Sequence, residues 1–117
     1  MMKLLPALLL GLLLLPACGG NPADDHLDAV SACYDLADEY GKLCARCSPA
    51  DQQQAAYDSC AKEVKAQVGG DCADARTVRD EAALRSTCFT WLRTVACASV
   101  QVAGAKADSS CRDQLHR

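Results

Sequence analysis

Aromatic residues are scarce in this chain: Tyr34, Tyr40, Tyr57, Phe89 and Trp91 are the full set among 117 residues. The interior must therefore be filled by Ala, Val, Leu and Cys, and a core with such small side chains is expected to need cross-links. Basic blocks are missing too. With Lys3 of the apolar leading segment set aside, 11 basic residues face 15 acidic ones, a net charge of −4 spread along the chain. That balance excludes a nucleic-acid partner, because neutralising phosphates requires a basic surface. No apolar run is long enough to span a bilayer. Leu4–Ala17 is fourteen residues interrupted by Pro6, Gly11 and Pro16, against the roughly 20 that a membrane helix needs. There is no G-x-S-x-G elbow and no Gly-rich phosphate loop, so the expected role is non-enzymatic and without a cofactor.

What is present begins with an export segment. Met1-Met2-Lys3 is a short, weakly positive start, and the Leu-rich stretch from Leu4 to Leu15 is the apolar part of a secretion signal. Leu15-Pro16-Ala17-Cys18 follows. This order resembles the lipobox of bacterial lipoprotein signals: Leu, a small residue, Ala or Gly, then the modified Cys, with Pro16 departing from the usual small residue. The resemblance implies that residues 1–17 are removed and that the Cys18 sulfur carries diacylglycerol through a thioether. It also implies that the protein meets a membrane through this lipid anchor. Two or three acyl chains hold stably where one does not, each buried methylene contributing about 0.8 kcal/mol. Gly19-Gly20-Asn21-Pro22-Ala23 reads as a flexible tether, within a segment 18–25. Gly19 in place of Asp after the modified Cys favours the outer membrane, by the sorting pattern of enteric lipoproteins.

Eight cysteines remain for the domain 26–117: Cys33, Cys44, Cys47, Cys60, Cys72, Cys88, Cys97 and Cys111. An even number in an exported chain implies four disulfides, and eight cysteines allow 105 pairings. Helical reading narrows them. Val30, Cys33, Ala37, Tyr40, Cys44 and Cys47 advance by three and four, predicting a first helix with Cys33 and Cys44 aligned roughly 16 Å apart. Ser48 as cap, Pro49 at the first helical position and Asp51 near the positive dipole end predict the start of a second. Its stripe is Tyr57, Cys60, Val64 and Val68, ended by Gly69-Gly70. Asp71–Arg79 is a connection. Asp80 is expected to cap a third helix through Leu84, Cys88, Trp91, Leu92 and Val95 to about Val102, with Thr77 as an earlier alternative start. Residues 103–117 read as an irregular tail pinned by Cys111. The expected fold is an all-α, disulfide-stapled bundle of about three helices.

Short connections make neighbouring helices antiparallel, which gives each cysteine a level. A turn at Ser48 places Cys33, Cys60, Cys72 and Cys88 towards the Gly69-Gly70 end. Cys44, Cys47, Cys97 and, if the tail folds back, Cys111 fall towards the other. Bonded Cα atoms lie within about 7 Å, so pairs should form within a level. The preferred pairs are Cys33–Cys60 and Cys72–Cys88, then Cys44–Cys97 with Cys47–Cys111, narrowly ahead of Cys97–Cys111 with Cys44–Cys47.

Cys44-Ala45-Arg46-Cys47 has the spacing of thiol–disulfide oxidoreductases, but it closes a helix, where the negative dipole end raises a thiol pKa instead of lowering it. Structural pairing is the expectation. Structural zinc needs four ligands, and His26 and His116 lie near the chain ends, so no metal is expected. Ser48 stands where a c-type haem motif requires His. Asp24, Asp25, Asp28, Asp35, Asp38 and Glu39 match no calcium loop and read as a solvated helix face. Trp91 beside Phe89 reads as core.

The order C-x10-C-x2-C, C-x12-C-x11-C, C-x15-C-x8-C-x13-C from Cys33 to Cys111, on an Ala-rich helical background, resembles the small cysteine-rich lipoproteins and secreted proteins of myxobacteria. That resemblance implies an envelope address and a helical fold and assigns no active residue. The expected role is a lipid-anchored structural or binding module of the cell envelope with an envelope protein as partner. Two alternatives stand beside it. One is a small-ligand or lipid carrier with a cavity lined by Val64, Val68, Leu84 and Leu92. The other is a periplasmic thiol-redox partner acting through Cys44 and Cys47.

Overall fold

A computed structural model describes residues 22–101 and 107–117, with side chains described for 28–100 and 107–117. The export segment, Cys18 and Gly19–Asn21 lie outside the described residues. The first helix, α1, spans Pro22–Arg46, so its first turn overlaps the end of the segment 18–25 read as tether. Ala29, Ala32, Cys33, Leu36, Ala37 and Leu43 form its buried face. This face is turned from the expected stripe, with Val30 only half-buried. Three alanines on it let a second helix approach closely.

That second helix, α2, spans Gln53–Ala66 and is preceded by a 3-10 turn over Ala50–Gln52. Ser48 does not cap it. The Ser48 hydroxyl instead donates to the Cys44 carbonyl at 2.7 Å, closing the last turn of α1. Gly69 and Gly70 end the hairpin's second arm at φ of 84° and 108°, and the Gly70 N–H reaches back to the Lys65 carbonyl at 2.8 Å. This is the left-handed ending expected of the Gly-Gly pair.

A 3-10 turn at Cys72–Asp74 leads to a two-residue strand, β1, at Thr77–Val78. Asp80 then caps the next helix by accepting from the Ala83 N–H at 3.0 Å. That helix is one rod of three pieces: α3 at Glu81–Ala83, a widened π-turn at Leu84–Cys88, and α4 at Phe89–Thr94. The extra residue in the widened turn shifts the register, so Leu84, Cys88, Phe89 and Leu92 are buried while Trp91 and Val95 are half-buried. Phe89, not Trp91, is the core aromatic.

The rod does not run on to Val102. Val95 is extended at ψ 140°, following the β-branched Thr94, and a separate short helix, α5, spans Cys97–Gln101. The guanidinium of Arg46 donates to the Leu92 carbonyl at 3.1 Å, satisfying one of the acceptors a helix end leaves open. Of the tail 103–117 expected to be irregular, residues 103–106 lie outside the described residues and 107–117 carry regular elements. These are a 3-10 turn at Ser109–Cys111 and a strand, β2, at Leu115–His116, paired antiparallel with β1 through Thr77↔His116 and Val78↔Leu115.

The four disulfides are Cys33–Cys72, Cys44–Cys60, Cys47–Cys97 and Cys88–Cys111. Two of them cross the expected levels, and neither preferred scheme holds. A reversal at Ser48 would leave Cys60 eight residues, about 12 Å of helix, out of step with Cys44. The actual reversal is centred on Gln52, from which Cys44 and Cys60 are equidistant. Cys33 then lies eleven residues back along α1 and Cys72 twelve residues on, so the same hairpin register sets both bonds. Cys111 departs for a different reason: β2 pairs with β1 and carries Cys111 to the π-turn holding Cys88.

One fully buried polar side chain fixes this tail. Gln114 Nε2 donates to the Ser110 carbonyl at 2.8 Å, and its Oε1 accepts from the Asp80 N–H at 2.8 Å. Outside the core, Arg79 reaches the carbonyls of Ser109, Arg112 and Asp113 at 3.3, 2.9 and 3.3 Å. Replacing Gln114 by Leu strands a part-buried donor on Asp80 and a buried acceptor on Ser110, and a loss of about 2 kcal/mol is expected in urea unfolding. Removing the pair Cys33–Cys72 by double Ala substitution is expected to cost about 4 kcal/mol and removing Cys44–Cys60 about 3 kcal/mol, following their loop lengths.

Candidate functional site

The hairpin, the rod and the tail meet around one half-open groove of about 420 Å³. Its floor is Leu36 from α1, Val64 from α2 and Leu92 from α4, each only 3% exposed. Each of these belongs to the apolar stripe of its own helix, so three separate periodicities converge on one surface. The rim carries Tyr40, Glu63, Arg112 and Asp113. The Tyr40 phenol is held above its ordinary pKa, mainly by burial and then by the nearby carboxylate of Glu63. An apolar floor with a neutral hydroxyl, two carboxylates and a guanidinium around it can seat an apolar group and hydrogen-bond whatever flanks it.

A second, smaller depression of about 280 Å³ lies on the other side of the hairpin, between Tyr34, Asp38, Tyr57 and Lys65. The ring of Tyr57 sits against Gly41, where an added Cβ would lie 2.6 Å from a ring carbon. Its hydroxyl donates to Asp38 Oδ1 at 2.6 Å, and Lys42 pairs with Asp38 Oδ2 at 2.8 Å. Both bonds favour the carboxylate, so the Asp38 pKa is lowered, by Lys42 first and Tyr57 second. The same hydrogen bond to Asp38 raises Tyr57. Tyr34 is 49% exposed, with Lys65 Nζ 5.7 Å from its ring centroid.

The acidic residues of α1 are not simply a solvated face. Asp35 pairs with Arg85 at 2.8 Å, and Glu39 takes both Nε and Nη2 of Arg93 at 2.9 and 2.8 Å. These two arginines lie over Phe89 of the same rod, each 5.9 Å from its ring centroid, so the ring helps hold the guanidiniums that the α1 carboxylates take. Side chains of Asp24, Asp25 and His26 lie outside the described residues. His116 stands on β2, its Nε2 3.1 Å from the Asp113 carbonyl.

Cys44 and Cys47 are not bonded to each other; their partners are Cys60 and Cys97. Val64 and Leu92 line the groove, whereas Val68 and Leu84 are fully buried in the core, so the four do not share one opening. Among the described residues no group of three or more His, Cys, Asp or Glu side chains gathers as a metal site, and no helix is long and apolar enough to cross a membrane. Gln114, Arg79 and Arg46 carry no signal in the sequence, since a lone Gln or Arg reads as surface. No protein-family model matches the chain, and neither a curated protein nor a solved structure matches it.

The Asp38–Tyr57 bond predicts a pH window. A lowered carboxyl stabilises the fold above the ordinary carboxylate range near pH 4, and this contribution is lost as pH falls through the lowered Asp38 value. A raised phenol contributes fully below about pH 10 and is lost as pH rises through the raised Tyr57 value. The stability difference between the native protein and Tyr57→Phe should therefore be flat between these limits and shrink outside both, as read from denaturant unfolding at a series of pH values.

Proposed function

We propose that this protein is a lipid-anchored binding module of the cell envelope, facing the outer membrane through acyl chains on Cys18. In this reading the groove over Leu36, Val64 and Leu92 receives an apolar side chain of an envelope protein partner. The convergence of three helix stripes on one half-open apolar floor is the observation that carries it. The cross-linked frame supports the reading, because a site held rigid loses little conformational entropy on binding. The size supports it too, lying in the lower part of the roughly 300–1,000 Å³ range of pockets that hold compact groups. Charges of both signs on the rim suit a protein surface better than an acyl chain. A lipid carrier would require Val68 and Leu84 to face the same space as Val64 and Leu92, and both are packed shut.

The anchor is tested by metabolic labelling with a fatty acid. Label should be lost in Cys18→Ser, with the protein moving from the membrane to the soluble fraction; label retained in this variant would remove the anchor from the reading. The groove is tested with a photo-activatable side chain in place of Gln67, which lines it, and in place of Gln54, which does not. An adduct in whole cells is expected from position 67 alone, and equal adducts from both would count against the groove.

A further inference from the structure

The four disulfides differ in how they can be reached. Cys33 and Cys72 are 0% exposed, as is Cys88, and Cys111 is 8% exposed, so an external thiolate cannot line up with either of these bonds in the native fold. Cys44–Cys60 and Cys47–Cys97 are half-buried at all four residues. Thiol exchange in the native protein is thereby confined to these two.

Two observations separate them. The guanidinium of Arg46 lies with Nη1 3.6 Å from Cys97 Sγ, while its Nη2 is fixed to the Leu92 carbonyl at 3.1 Å. A cation held beside one sulfur stabilises negative charge that departs on it and so makes it the better leaving group. The surroundings of Cys97 also give way more readily. The rod ends at the extended Val95, and in α5 only Cys97 and Val100 are even half-buried among the described side chains. Cys44 and Cys60, by contrast, sit on two long packed helices that Cys33–Cys72 keeps together, so a broken Cys44–Cys60 bond closes again on the spot.

We propose that Cys47–Cys97 is a site of thiol exchange in this protein, opened by an external thiolate that attacks Cys47 and expels Cys97. The new bond joins the incoming sulfur to Cys47 Sγ. The Cys47–Cys97 bond breaks, and its electron pair leaves on Cys97 as a thiolate beside Arg46. A second thiol equivalent then displaces Cys47 from the mixed disulfide, so that two electrons and two protons have passed from the thiol reagent to the protein. The other three bonds stay closed and hold the hairpin, the rod and the tail, while α5 is released. The thiol-reactive pair is thus not the C-x-x-C couple but one of its cysteines with a distant partner.

The test is site-resolved. Native protein is exposed to reduced glutathione without denaturant, quenched with an alkylating agent and mapped by mass spectrometry, with helical circular dichroism followed in parallel. Cys97 should be alkylated and Cys47 found as the glutathione mixed disulfide, about tenfold sooner than any label appears at the other six cysteines, as leaving-group control of exchange implies. Arg46→Gln should slow the opening of Cys47–Cys97 severalfold without changing the rate at Cys44–Cys60; Arg46→Lys, which keeps the charge, should stay closer to the native rate. Opening of Cys44–Cys60 first, simultaneous opening of all four bonds, or glutathione captured on Cys97 would overturn the proposal. So would an unchanged rate in a folded Arg46→Gln variant. Because the site-resolved order in the unsubstituted protein decides by itself, a variant that fails to fold does not remove the test.

Discussion

The register of the α1–α2 hairpin is the constraint on which the remaining structure is built. Cys44–Cys60 and Cys33–Cys72 tie the hairpin at two heights, and between them the small residues of α1 and Ala61, Val64 and Val68 of the opposing arm are pressed together. Such side chains bury little area each, so packing alone would leave the alignment of two helices loosely determined. Covalent ties reduce the conformational freedom of the unfolded chain and do not depend on how much area is buried. With α1 fixed, its Asp35 and Glu39 stand where Arg85 and Arg93 can dock the rod, and the rod in turn presents Cys88 to the tail.

Backbone acceptors and donors left open by short elements are met by side chains from far along the chain. Arg46 serves the end of the rod, Arg79 serves three carbonyls of the tail, and Gln114 joins the start of the rod to the Ser109–Cys111 turn. A small domain broken into so many pieces has many helix and turn ends, and each buried end needs a partner. These contacts also shape the groove, since the tail they hold supplies Arg112 and Asp113 to its rim. The rim of the groove and the stability of the C-terminal segment therefore rest on the same few hydrogen bonds.

Much of the helical layout was legible beforehand. The Gly69-Gly70 ending and the Asp80 cap are chemistry of neighbouring residues, and both stand where the pattern put them. Val64 and Leu92 were legible as the lining of an opening, but in company with Val68 and Leu84, which are closed inside the core instead. Ser48 misled because its hydroxyl has two competing uses, capping a following helix or bonding back to the preceding turn, and it takes the second. That single choice moves the reversal by four residues and changes the partner of Cys60. The widened turn at Leu84–Cys88 was likewise invisible, because one inserted residue rotates Phe89 inward at no cost to the pattern of hydrophobic residues around it.

By itself the sequence determined the class of structure: few aromatics, an even set of eight cysteines after Cys18, and helical periodicity leave a cross-linked helical domain as the arrangement that can hold so small a core. Which sulfur meets which was decided only by the tertiary structure. Periodicity fixes the face of a helix a residue occupies, because 3.6 residues per turn is a local property. Pairing instead depends on where the chain reverses and on how a distant strand pairs, and those are settled by contacts between segments that share no neighbourhood in the sequence.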